Sequence, residues 1–83
     1  MKYRLRYAKT AVRDIKKLDR VMQKRLKRKL ELFLTDPRAY ATKLSSSKLG
    51  GYRFRLGDLR VIFDLEGAWV TILRVGFRGD IYK

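Results

Sequence analysis

With 83 residues, the chain makes one small domain, and chains near this size bury only ~60–65% of their unfolded surface. It contains no cysteine and no histidine, which excludes disulfides and thiolate metal sites, and removes the usual general base and commonest metal ligand. Lys and Arg number 22 against 8 Asp and Glu, a net charge of +14, with thirteen basic residues against Asp14 and Asp19 alone in the first 29. A field of this kind repels itself in the compact state and attracts polyanions, so the partner is expected to be a nucleic acid, a strongly acidic protein, or both.

Residues 3–7, YRLRY, alternate with period two. Tyr3, Leu5 and Tyr7 fall on one face, with Arg4 and Arg6 on the other, which predicts a strand covered on one side. Thr10 is placed to cap a helix on which Ala11, Ile15 and Leu18 recur at helical spacing. The phase shifts at Asp19-Arg20, where a longer helix begins. Its apolar stripe is Met22, Leu26, Leu30, Phe33 and Leu34, and Asp36-Pro37 stops it.

Residues 38–51 read as a loop, followed by three strands at 52–56, 59–65 and 68–75. The first two are joined through Gly57-Asp58, which suits a tight turn with positive φ at the glycine, and the last two through Glu66-Gly67. The expected class is α+β in the order β-α-α-β-β-β, a helical hairpin on a four-stranded, mainly antiparallel sheet. The first strand is too far from the second to form a hairpin with it, so parallel pairing with another strand is expected. Tyr52, Phe54 and Leu56 would join Tyr3, Leu5 and Tyr7 toward the helices.

No phosphate-binding glycine loop follows a strand, and no acidic cluster suits two-metal cleavage. Ser45, Ser46 and Ser47 have no histidine to activate them. The apolar runs are far shorter than the ~18 residues of a membrane span, and no secretory segment opens the chain, so a cytoplasmic protein is expected. Neither a metal nor another cofactor is expected. What remains is an outward row of arginines on YRFRLGDLRV, with no acid expected beside them. Alternation places Arg53 and Arg55 on one face about 6.5–7 Å apart, and Arg60 follows across the turn. Guanidinium groups bind phosphate bidentately and stay charged when partly buried. Arg78 and Tyr82 follow in RVGFRGDIYK, residues 74–83, and an aromatic ring among cations suits RNA. Lys24, Arg28, Lys43, Lys48, Arg74 and Phe77 are candidates for flanking RNA contacts.

The helix pair, its Asp-Pro stop, YRFRLGDLRVIFDL and the terminal TILRVGFRGDIY together resemble the RelE/ParE superfamily of type II toxins, over essentially the whole chain. The RelE-like branch is the better match. That resemblance implies a ribosome-dependent, metal-independent mRNA endonuclease in which the 2′-hydroxyl attacks the adjacent phosphate. The family's catalytic positions fall on Arg53, Arg55, Arg60, Arg78 and Tyr82. It also implies an acidic antitoxin as partner, besides the ribosomal A site and mRNA. Two departures stand out. RelE-like members carry lysines where this chain has Arg53 and Arg55, and arginine cannot serve as a base. Phe77 and Gly79 stand where many relatives have a histidine and a further basic residue. The alternatives are a ParE-like poison of DNA gyrase and a non-toxic basic RNA-binding module.

Overall fold

A computed structural model describes residues 3–36, the main chain of 42–43, and residues 51–77. Along the chain it runs β1 (Arg4–Tyr7), α1 (Lys9–Lys16), α2 (Arg20–Phe33), β2 (Thr42–Lys43), β3 (Tyr52–Leu56), β4 (Leu59–Glu66) and β5 (Trp69–Phe77). The sheet order is β1-β5-β4-β3-β2. β1 lies parallel to β5 and the remaining pairs are antiparallel. The four expected strands and the helical hairpin are therefore present. β2 is a two-residue addition inside the stretch read as a loop, and it extends the β3 edge. Gly57 sits in the β3–β4 turn at φ 59° and Gly67 in the β4–β5 turn at φ 56°, a region costly to residues with a Cβ. Glu66 completes β4, so the second turn lies one residue later than expected.

Helix entry differs between the two helices. Asp19 caps α2, its Oδ1 accepting the Met22 N–H at 2.8 Å. Ala8 precedes α1 without a side-chain cap. Thr10, expected to be that cap, lies within the helix and donates its hydroxyl to the Leu73 carbonyl at 2.7 Å. This bond has a structural reason. β1 covers β5 only as far as Ile72, and beyond that point α1 takes over the exposed edge. Thr10 meets Leu73, and Asp14, one helical turn later, accepts the Val75 N–H at 2.9 Å.

The core lies between the helices and one face of the sheet. Leu26, Leu30 and Phe33 of α2 pack on Phe54, Leu56, Val61, Phe63, Val70 and Ile72. The Phe33 ring stacks on Phe54 at 4.7 Å between centroids and meets Phe63 edge-on at 4.9 Å. These contacts fix the last turns of α2 over β3 and β4. A bulge between Ile62 and Phe63 pairs Ile62 with Arg74 and Phe63 with Ile72, leaving Leu73 as the extra residue. It shifts the phase of β5, so Val70, Ile72 and Val75 all face inward while Trp69, Thr71 and Arg74 do not. Among the described residues, no helix is long and apolar enough to cross a membrane.

Candidate nucleic-acid interface

The register fixes what stands on the sheet face turned away from the helices. Cross-strand partners share a face, so the outer side chains form four rows. At one end Arg4, Trp69 and Glu66 are aligned, and beside them Arg6, Thr71 and Asp64. Next come Arg53, Ile62 and Arg74, and at the far end Arg55, Arg60 and Gly76. The face carries two acids, Asp64 and Glu66, contrary to the expectation of none, but both lie toward the end away from Arg55 and Arg60. The Asp64 carboxylate is used locally, accepting the Gly51 N–H at 2.9 Å.

Arg60 is the one buried charged side chain among the described residues, 6% exposed. Its Nη1 donates to the carbonyls of Gly57 at 2.8 Å and Leu59 at 3.3 Å, so the β3–β4 turn holds the guanidinium in place. No carboxylate pairs with it among the described residues. Its Cα partner is Arg55, which is exposed. Like charges directly opposite across two strands are destabilising, and a buried charge lacking a counter-ion is costly. A phosphate seated here would neutralise both groups and accept from Nε and Nη2, for which no acceptor is found among the described residues. Arg53, half-buried on the same face, stands one alternation step from Arg55.

The remaining sequence-predicted residues are distributed unevenly. Arg78, Tyr82 and Lys48 lie outside the described residues, and Lys43 is placed in β2 by its main chain only. Lys24 and Arg28 are exposed on α2. Arg74 does not offer a free guanidinium. Its Nε donates to Asp14 Oδ2 at 2.8 Å and its Nη2 to Oδ1 at 3.4 Å. That hydrogen bond, and then the carboxylate charge, raise the Arg74 pKa further above its already high value. Phe77 is exposed, but its phase puts it with Val75 on the helix side, where it lines a cleft of about 170 Å³ with Asp14, Lys17 and Leu18. It is thus on the opposite side of the sheet from Arg55 and Arg60.

Two residues on α2 were missed as candidates. Arg25 and Lys29 line a cavity of about 290 Å³ together with Arg28, Leu32 and Leu56, and Lys29 shares a smaller one with Arg55. The signal was legible: 25, 28, 29 and 32 follow the helical repeat of one face. The basic end of the sheet therefore continues onto α2 beyond β3.

A second concave surface is apolar. Tyr7, Val12, Ile15, Leu26 and Leu30 line a groove of about 420 Å³ between the two helices and β1, with Lys16, Lys27 and Gln23 also in its lining. Burial pushes the Tyr7 phenol above its ordinary pKa.

A family model described as the ParE toxin of type II toxin–antitoxin systems (parDE) matches residues 5–82. Comparison with curated proteins gave no match. Among solved structures, the chain is similar to one in the RelBE2 toxin–antitoxin complex from Mycobacterium tuberculosis, with 26% identity and a TM-score of 0.80 over 94% of this chain and 100% of that one. A mutant of the E. coli toxin RelE in the free state gives 26% identity and a TM-score of 0.78, covering 99% of this chain and 92% of that one. For a chain of the archaeal RelE–RelB complex from Pyrococcus horikoshii the values are 27% and 0.75, with 95% and 98% covered. The chain belongs to the RelE/ParE superfamily of type II toxin–antitoxin toxins, within reach of the ParE family model and RelE-like in structure.

Proposed function

We propose that this toxin is a ribosome-dependent endoribonuclease that cuts mRNA and so stops translation. It acts in the cytoplasm, where ribosomes and mRNA are found. The observation that supports this most is the Arg55–Arg60 pair: two arginines at paired positions on β3 and β4, with Arg60 buried, its guanidinium held by carbonyls and, among the described residues, paired with no carboxylate. The structural similarity to RelE adds weight.

In the proposed reaction the ribose 2′-oxygen forms a bond to the adjacent phosphorus and the P–O5′ bond breaks, leaving a 2′,3′-cyclic phosphate and a 5′-hydroxyl. The 2′-hydroxyl proton passes to a base, and the departing 5′-oxygen gains a proton. Arg53, Arg55 and Arg60 orient the phosphate and stabilise charge as five oxygens crowd the phosphorus, with Arg78 as a further donor. One such donor contributes ~2.7–4 kcal/mol to lowering the barrier. None of the arginines can take the proton. Tyr82 is the proposed base, with Asp80 assisting; a phenol brought among cations would become more acidic and so better able to take the proton.

Primer extension on mRNA after induction tests this reading. New 5′ ends within coding regions are expected, and they should disappear with Arg78→Ala and with Tyr82→Phe. Intact mRNA in arrested cells would overturn it. The match to the ParE family model supports a second reading, a gyrase poison acting by binding. That reading predicts accumulated gyrase–DNA cleavage complexes and no new mRNA ends.

An acidic antitoxin is the proposed partner. Its apolar side chains would enter the groove between α1 and α2 while its carboxylates meet Lys16 and Lys27, by folding of a partly disordered segment on contact.

A further inference from the structure

The end of the open sheet face away from Arg60 carries a cluster that the proposed cleavage does not use. Trp69, the only tryptophan in the chain, is 38% exposed at the start of β5. The Arg6 guanidinium lies 4.9 Å from the centre of its ring and that of Arg4 at 5.8 Å. Arg6 is further oriented by its Nε, which donates to Thr71 Oγ1 at 2.7 Å. Its contact with Glu66 at 3.7 Å joins two exposed side chains, an ion pair of the kind that contributes little and that an incoming phosphate can replace.

We propose that Trp69 with Arg4 and Arg6 forms a stacking site for a base of single-stranded RNA, with the arginines holding the flanking phosphates. Every base presents a π-face, and the guanidinium groups now lie over the indole; an incoming base would take a guanidinium's place on the ring and leave that arginine to a flanking phosphate, without selecting sequence. The site shares the sheet face of Arg53, Arg55 and Arg60. Trp69 and Gly76, the neighbour of Arg60, stand at opposite ends of β5, a separation of about 20 Å along the strand. That length lies within the ~4–16 nucleotides a single-stranded site can cover. The indole is then a distal anchor on a strand whose other end meets Arg60. The inference concerns binding and does not depend on the cleavage chemistry.

The single tryptophan makes the test specific. A short 2′-O-methyl RNA oligomer, which cannot be cleaved by 2′-hydroxyl attack, is titrated into the purified toxin while emission and oligomer anisotropy are followed. Saturable quenching of Trp69 that parallels binding is expected, whereas inorganic polyphosphate of similar charge and an acidic peptide should bind without quenching. Trp69→Ala should weaken the oligomer by about five-fold or more, with Trp69→Phe recovering most of the loss and confirming that the fold is intact. Oligomer binding with silent emission, equal quenching by polyphosphate or the acidic peptide, or unchanged affinity in Trp69→Ala would each overturn the proposal. Quenching that persists in Arg60→Ala while cleavage is lost supports the anchor as a separate element. Cleavage without quenching removes the anchor and leaves the cleavage reading standing.

Discussion

Asp14 and Arg74 are 60 positions apart in sequence and meet at 2.8 Å, and the same carboxylate oxygen also accepts the Val75 N–H. One side chain thus does two jobs: it neutralises an arginine and closes the edge of β5 where β1 ends. Asp14→Ala leaves both the guanidinium and the N–H without their acceptor. A loss of about 2 kcal/mol is expected in urea unfolding, since bonds to charged groups contribute about 1.5–3 kcal/mol. Asp14→Asn keeps an acceptor for Val75 and should lose less. Equal stability of all three proteins would remove the clamp from the account.

Phe33 joins α2 to β3 and β4 through two ring contacts. Its replacement by alanine removes a fully buried ring, and ~3–5 kcal/mol of destabilisation is expected. In so small a domain that is a large share of the total. Thermal unfolding followed by circular dichroism checks it. Because Phe33 sets where Arg25, Arg28 and Lys29 stand beside β3, its milder variant Phe33→Leu should also weaken RNA binding.

Tyr7 gives the alkaline behaviour a sign. Burial raises its folded-state pKa, so in the unfolded chain the phenol ionises first as pH rises. The folded state then binds more protons than the unfolded one, and stability falls as pH climbs through and above the ordinary tyrosine value of about 10. Below that value the protonated phenol costs nothing. Tyr7→Phe should flatten this share of the alkaline loss relative to the parent, measured as unfolding midpoints between neutral and strongly alkaline pH. An identical decline in both proteins would contradict it.

Val12 is exposed and lines the groove between the helices. If an acidic antitoxin seats its apolar side chains there, Val12→Asp places a like charge and a polar group in the contact. Affinity for the co-encoded antitoxin should drop at least about tenfold, equivalent to ~1.4 kcal/mol. Unchanged affinity, measured by titration calorimetry, would move the antitoxin to another surface.

Most of the architecture was legible in the sequence because it rests on period and punctuation. Alternation at residues 52–56 and 59–65, glycines at the turns, and an Asp cap with a helical stripe all speak locally. The length of the helical connection ruled out a hairpin between β1 and the next strand and left parallel pairing open, and β1 does lie parallel to β5. What escaped depends on distant partners. Nothing near Thr10 shows that its hydroxyl is taken by Leu73, and nothing near Arg74 shows that Asp14 holds it. The bulge was faintly visible, since Val70, Ile72 and Val75 break strict alternation, but reading it requires knowing which face is buried. At the candidate site, alternation put Arg53 and Arg55 on one face and the turn put Arg60 beside Arg55, and the register has them so. The burial of Arg60 was not legible, because a charged residue on an outward phase reads as solvated. Trp69 drew no attention because a tryptophan in a strand reads as core.

The most direct test of the central claim, that Arg60 is held ready for the scissile phosphate, is single-turnover mRNA cleavage on programmed ribosomes by the parent, Arg60→Lys and Arg60→Ala. Far-ultraviolet dichroism and unfolding midpoints establish that each protein is folded. A fall of about 10²–10³-fold in the cleavage step is expected for Arg60→Ala and a smaller one for Arg60→Lys, which keeps the charge and loses the fork. A folded Arg60→Ala protein that cleaves at the parent rate would contradict the claim.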